Sequence, residues 1–212
     1  MDIYDQFPNA IMRLLSDEPI LHISGEPGCG KSIMAQTITM HSIAKTGKNA
    51  MYIDTVNKFS KNRFLKFFPE PALNERITIT SVNSYEQQKF LISKLDRMSR
   101  LNMLEEFGLI VIDSISHQLR HEISSSGIFK DYAKAINDFN ETQFQPLLLL
   151  AKRSNIKIIL VHSDGKEIDS FSKSRDIFEI FSFKISSSFS FPSIIDSPIL
   201  LGLLNFIRFF LL

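Results

Sequence analysis

The sequence predicts an α/β fold, a mainly parallel sheet flanked by helices on both faces. Three observations carry that prediction. Short apolar runs alternate with stretches of helical periodicity along most of the chain, the pattern of repeated strand–helix–strand units. One run, Leu109-Ile110-Val111-Ile112-Asp113, is apolar without alternation until its last residue, as expected of a parallel strand covered on both faces. A glycine-rich turn separates the first apolar run from the first helical stretch.

In order along the chain, Ile20-Leu21-His22-Ile23-Ser24 reads as a buried strand ending at Gly25. A helix is expected from Lys31 to Lys45, carrying Ile33, Met34, Ile38, Ile43 and Ala44, with Gly47 as its stop. Ala50 to Asp54 is the second strand, and Phe64, Leu65, Phe67 and Phe68 mark a short helix ended by Pro69. Ile77-Thr78-Ile79-Thr80 is a third strand, rich in β-branched residues. Leu91, Leu95 and Met98 recur at helical spacing, which predicts a helix from about Tyr85 to Glu106. Leu109 to Asp113 is the fourth strand. Phe129, Tyr132, Ala133, Ile136 and Phe139 outline another amphipathic helix, continued by 147–152 beyond Pro146, and Ile156 to Val161 is the fifth strand.

These elements divide the chain into a lead-in over 1–19, a core over 20–185 and an apolar tail over 186–212. From Phe181 to Phe191 serine alternates with phenylalanine, and Ile194 to Leu212 carries only Asp196 and Arg208 as charges. A membrane-spanning helix needs about 20 uninterrupted apolar residues. Asp196, Pro198, Asn205 and Arg208 break this run, so sheet-edge strands or an oligomer contact is expected before a membrane anchor, with a misassigned or truncated end as the alternative.

With 212 residues, 44% hydrophobic and 22% charged, the chain suits one globular domain. The net charge of +1 neither points to nucleic acid nor excludes a local basic patch. A single cysteine, Cys29, leaves no internal disulfide and fits a reducing compartment. The N-terminus shows no basic run followed by an apolar core, so no secretory signal is expected. Nineteen phenylalanines without a tryptophan read as compositional bias, not as a binding function.

The turn after the first strand is Gly25-Glu26-Pro27-Gly28-Cys29-Gly30-Lys31-Ser32, a P-loop. Its glycines let successive backbone N–H groups point at phosphate oxygens, and the helix that follows adds the positive end of its dipole. Lys31 supplies a mobile cation for the β- and γ-phosphates and is the candidate catalytic group. The Ser32 hydroxyl is a hard oxygen suited to magnesium. Asp113 ends the most apolar strand, at the sheet edge where ligands collect in open α/β folds. It is the second candidate metal ligand, its alternative role being an ordinary helix cap. The expected cofactors are ATP, or a related nucleoside triphosphate, and Mg2+.

From about Ala10 to Val161 the sequence resembles the RecA/RadA recombinase superfamily, in particular its compact RadB-type paralogues. The resemblance rests on the P-loop, on Tyr52-Ile53-Asp54-Thr55 with Phe59 and Arg63 beyond it, and on Gly108 to Ser114 with Arg120 seven residues past Asp113. It implies a RecA-like P-loop NTPase core acting on DNA. In that family a glutamate follows the Tyr-Ile-Asp-Thr strand and activates the attacking water. Val56 holds that position here, and loss of such a base costs about 10²–10⁴-fold in rate. The family's Asn-Gln pair, whose glutamine senses the γ-phosphate, corresponds to His162 and Ser163. Nucleotide binding retained with hydrolysis weakened is therefore expected; Glu26 or Asp54 as a substitute base is the lesser alternative, since neither occupies the usual position for orienting water.

The resemblance also implies that Arg63 lies on the adenine, the alternative being a solvated charge on a helix face. It places Arg120, His121 and Ser124 to Gly127 at the first DNA-binding loop and Asp164-Gly165-Lys166-Glu167 at the second, which makes Arg120 and Lys166 candidate contacts to single-stranded DNA. An ordinary surface loop is the alternative for the first. Too few residues precede the P-loop for the family's N-terminal domain, and Phe7-Pro8-Asn9-Ala10 matches its Phe-x-x-Ala assembly motif only literally. The leading expectation is an ATP-binding accessory factor in DNA recombination or repair, with DNA and a recombinase or paralogue as partners and self-assembly open. The alternatives are an active DNA-dependent ATPase and a ring-forming scaffold ATPase that does not act on DNA. The compartment follows the host: nuclear in a eukaryote, cytoplasmic in a prokaryote.

Overall fold

The computed structural model describes residues 19–25, 27–126, 132–163 and 182–185. The strands are β1 (Ile20–Gly25), β2 (Asn49–Asp54), β3 (Ile77–Ser81), β4 (Phe107–Asp113), β5 (Lys157–Ser163) and β6 (Ser182–Ile185). Between them run α1 (Lys31–Thr46), α2 (Lys61–Phe67), α3 (Pro71–Asn74), α4 (Tyr85–Arg100), α5 (His117–Ser126), α6 (Tyr132–Phe139) and α7 (Gln145–Ser154), the last two joined by a π-helical turn (Asn140–Phe144). The six strands form one sheet in the order β3-β2-β4-β5-β1-β6, with every neighbouring pair parallel.

Both faces of this sheet are covered, as the continuous apolar strands predict. Successive residues of β4 feed opposite cores. Leu109 and Val111 pack with Leu21, Ile23, Tyr52, Ile159 and, from α1, Met34, Ile38 and Ile43. Ile110 and Ile112 pack with Ile53, Ile158, Leu160 and, from α4 and α7, Ile92, Leu95, Leu147 and Leu150. All of these side chains are buried. α1 ends where expected: Gly47 takes φ +65° and its N–H closes the last turn on the Ile43 carbonyl.

Three local differences from expectation have physical causes. The helix expected to reach Glu106 stops at Arg100. Asn102 adopts φ +56°, the Met103 N–H turns back to the Met98 carbonyl, and Leu104 is buried as a plug beneath the turn. The helical path through Pro146 is continuous but changes pitch, with a π turn immediately before α7. A proline offers no N–H to the carbonyl four residues back and its ring crowds that carbonyl, so the wider turn relieves both faults. Phe129 lies outside the described residues.

The third difference is α5. Residues 120–126, expected as a flexible loop, are helical through Ser126. Leu119 is fully buried and Ile123 packs against the same core one turn later, so tertiary burial overrides the weak helix propensity of the serines. Gln118, also buried, donates to the carbonyls of Thr55 at 2.6 Å and Val82 at 3.0 Å and ties the helix to β2. Among the described residues no helix is long and apolar enough to cross a membrane. Residues 1–18 and the apolar tail 186–212 lie outside the described residues. β6 pairs with β1 at the sheet edge, and the edge strands expected of the tail lie outside the described residues.

Candidate nucleotide site

The strand register assembles the site. Gly25 of β1 stands opposite Ser163 of β5, Val161 of β5 opposite Asp113 of β4, and Asp113 opposite Asp54 of β2. The C-terminal ends of four neighbouring strands thus bring the phosphate loop, both aspartates and the His162-Ser163 pair to one edge, the position where open α/β sheets bind ligands.

The loop has the backbone its chemistry needs. Gly28 and Gly30 adopt φ of +83° and +92°, and a Cβ placed at either would meet nothing within 4 Å. Glycine is thus required there for conformation, while the space above the loop stays open. Gly30 caps α1 without a side-chain hydrogen bond, leaving backbone N–H groups available at the positive end of a sixteen-residue helix. Pro27 and Gly28 are exposed and Cys29 is half-buried. Lys31 is buried, its Nζ donating to the Gly25 carbonyl at 2.9 Å and lying 3.6 Å from Cys29 Sγ. Ser32 is exposed. Glu26 lies outside the described residues.

Asp113 is held before any ligand arrives. The Tyr52 hydroxyl donates to Asp113 Oδ2 at 2.6 Å. Burial pushes the Asp113 carboxyl above the usual carboxylate range, hydrogen bonds from Tyr52 and Ser32 pull it down, the nearby Asp54 charge raises it and the Lys31 charge lowers it. Burial first, then the Asp113 charge, drives the Tyr52 phenol well above its ordinary value, so it remains a donor throughout the physiological range. These residues fit a nucleoside triphosphate with a divalent cation: an open anion cradle, a lysine at its mouth and a carboxylate with one oxygen anchored.

Tyr52→Phe is expected to lower unfolding free energy by about 1.5–3 kcal/mol, the worth of a hydrogen bond to a charged group. Urea unfolding at pH 7 measures this, and a change within error would remove the anchoring role.

Asp54, the partner of Asp113 in register, does different work. Its Oδ1 accepts from the Val56 N–H at 3.0 Å and its Oδ2 from the Phe59 N–H at 2.8 Å. Both oxygens are spent on folding the 55–59 segment, an Asx-type turn. Thr55 locks the same segment to β4: its Oγ1 donates to the Ser114 carbonyl at 2.7 Å and accepts from the Ser114 N–H at 2.8 Å. Val56 is therefore placed on a pinned backbone, next in sequence to the Thr55 that bonds β4, with its side chain half-buried.

His162 shares a 2.6 Å hydrogen bond with Ser116 Oγ through Nδ1, and its ring centroid lies 5.6 Å from that of His22. Burial, followed by the charges of His22, Arg120 and Lys31, lowers its pKa to about 3, so the ring is neutral at pH 7. The folded chain thus binds fewer protons than the unfolded chain between about pH 6.5 and 3, and stability falls as pH drops through that window. His162→Asn is expected to flatten this acid limb by up to about 1.4 kcal/mol per pH unit, read from urea unfolding at stepped pH. Parallel profiles for the two proteins would show that another group controls the limb.

The remaining candidates sit further out. Arg63 is exposed on α2, its guanidinium 5.8 Å from the Phe67 ring centre. Arg120 lies on α5, not in a loop, and belongs to a basic group: burial, then the charges of Arg120, His121 and Lys58, lowers the pKa of His117. Lys166 lies outside the described residues. Lys58, Ser116 and His117, with the bonds from Tyr52 to Asp113 and between Ser116 and His162, are the site features that motif reading missed. Only the strand alternation at Tyr52, which faces the same way as Asp54, carried a signal in the sequence.

Fold and site together define a RecA-like P-loop NTPase fold. Residues 8–174 match the family model for Rad51, and the chain belongs to the Rad51 family. It is similar to proteins named DNA repair and recombination protein RadB. One, from Thermococcus kodakarensis, is 29% identical over 139 residues, covering 61% of this chain and 57% of that protein. A second, from Thermococcus sibiricus, is 31% identical over 160 residues, covering 71% and 63%. A third, from Methanococcus maripaludis, is 28% identical over 150 residues, covering 70% and 65%. The chain therefore spans 57–65% of the length of these relatives.

Proposed function

We propose that the chain binds ATP with magnesium, hydrolyses it weakly or not at all, and serves as an accessory factor in DNA recombination or repair. What supports this reading is the complete P-loop sequence together with Val56, which the family resemblance aligns with the water-activating base. Asp54 is a poor substitute, since each of its oxygens already accepts from a backbone N–H. Lys31 and the loop amides would hold the β- and γ-phosphates, and Ser32 and Asp113 would hold the cation. When bound, magnesium would neutralise phosphate charge and fix the triphosphate's geometry. Tyr52 orients Asp113 for that role, and Thr55 keeps the ends of β2 and β4 in fixed relation.

The names of the relatives and the family membership support the recombination role. Arg120, with Lys58, His117 and His121 around it, and Lys166 beyond β5 are the proposed contacts to single-stranded DNA. Neutralised phosphates would make binding salt-dependent. The partner proposed for the ATP-bound chain is a recombinase of the same family, and the compartment is that of the host's DNA.

The test is anisotropy of a labelled oligo-dT with and without ATP and magnesium, together with co-sedimentation against a Rad51-family recombinase of the same host. At least one partner should bind more tightly with ATP, and Arg120→Ala should reduce the salt slope for DNA by about one. Absence of both partners with and without ATP overturns the reading. Robust DNA-stimulated phosphate release makes the chain an active ATPase instead, and a stable hexamer without DNA affinity makes it a scaffold.

A further inference from the structure

The outward face of α4 is built unlike an ordinary solvated helix. Its buried side carries Tyr85, Gln88, Ile92, Leu95 and Ser99. On the opposite side, Phe90, Lys94, Arg97 and Leu101 follow the spacing i, i+4, i+7, i+11 and form one row about 16 Å long. Phe90 is 72% exposed, Leu101 59% and Met103, in the turn beyond, 57%. These are three of the six large hydrophobic side chains exposed among the described residues. An aromatic ring nearly three-quarters bare, with Leu101 on the same row and Met103 in the turn beyond, is the kind of exposed apolar surface that marks a contact.

The charges between them name the occupant. Lys89, Arg100 and Arg153 are paired, Arg100 and Arg153 with Asp96 and Lys89 with Glu86 and Asp138. The exposed side chains of Lys94 and Arg97 make no ion pair or hydrogen bond among the described residues. The row therefore reads apolar, cation, cation, apolar. Its complement is apolar, acid, acid, apolar at the same helical spacing. We propose that this face of α4 docks an acidic amphipathic helix of a partner protein, with Phe90 and Leu101–Met103 as apolar anchors and Lys94 and Arg97 setting register and sign. This proposal stands apart from the nucleotide reading, because none of its residues belongs to the phosphate site. Apolar anchors at both ends favour a protein helix over a nucleic-acid backbone, which offers phosphates but no apolar ridge.

The probe is a fluorescein-labelled synthetic peptide with Leu at i and i+11 and Glu at i+4 and i+7 on an Ala/Gln background, titrated with the full chain and followed by anisotropy. Saturable binding is expected. It should weaken at least about tenfold in the double variant Lys94→Glu, Arg97→Glu, and also in Phe90→Ala. A peptide with Lys in place of the two Glu residues should bind the double variant and not the wild type. Circular dichroism melting and titration with a fluorescent ATP analogue confirm that the variants are folded, and neither should change. Absence of saturable binding, or equal affinity of wild type and double variant, overturns the proposal. So does self-association of the wild type that Phe90→Ala abolishes, which would make the occupant a second copy of this chain.

Discussion

Replacing Val56 by glutamate is expected to raise steady-state ATP hydrolysis by about 10²–10⁴-fold, the contribution of a positioned general base. The substitution is favourable because the backbone there is already fixed. The Val56 N–H is held by Asp54 Oδ1, the Thr55 N–H bonds the Asp113 carbonyl at 2.8 Å, and the Phe59 N–H closes the turn on Asp54 Oδ2. A carboxylate added at the half-buried residue 56 would thus start from a pinned backbone, one residue beyond the bond from Thr55 to Asp113. Asp54 and Asp113 are both close, and like charges raise a neighbouring carboxyl pKa. Hydrolysis by the variant should therefore climb with pH as the new side chain loses its proton. Val56→Gln, which cannot accept the proton, should show no gain. Phosphate release across pH 5–8 on one preparation of each protein decides the matter. No gain from the glutamate would mean that Val56 does not occupy the base position.

Lys31→Ala is expected to weaken ATP binding by at least about 10²-fold. Two charge-assisted hydrogen bonds to phosphate, each worth about 1.5–3 kcal/mol, support that figure. The fold itself should tolerate the change. Lys31 contributes its bond to the Gly25 carbonyl, a loss of about 1 kcal/mol, whereas the apolar contacts of α1 come from Met34, Ala35, Ile38 and Ile43. The two effects are separable: titration with a fluorescent ATP analogue reads the first and urea unfolding the second. Lys31→Arg should not restore full affinity, because the planar fork and longer reach of guanidinium differ from a compact ammonium. Unchanged affinity in Lys31→Ala would place the triphosphate elsewhere.

Much of this architecture was legible from the chain because its signals are local. The P-loop is eight consecutive residues, and the strand ending in Asp113 is apolar until the one position that carries a charge. The three motif segments also led to the right family. What the sequence concealed is relational. The bond from Tyr52 to Asp113 joins residues 61 apart and exists only because β2 and β4 are neighbours in register. The use of both Asp54 oxygens as a turn clamp depends on how the chain bends after β2, which no pattern of residue types displays. α5 was missed because its last residues, Ser124 to Ser126, favour turns, while the burial of Leu119 and Ile123 that secures it is contributed by other elements. The helix ending at Arg100 was overextended for the converse reason: Leu104 continues the apolar spacing, yet it is buried from a turn.

The anchoring of Asp113 by Tyr52, together with the Asp54 clamp and the reciprocal Thr55–Ser114 pair, has a calorimetric consequence. A site whose carboxylate and adjoining loop are already immobilised has little left to order when a ligand arrives, so its association should release heat without the large negative heat-capacity change of coupled folding. Titrating magnesium–ATP at several temperatures should give enthalpies that scarcely vary. In Tyr52→Phe, where the aspartate must first be immobilised, the same plot should acquire a slope.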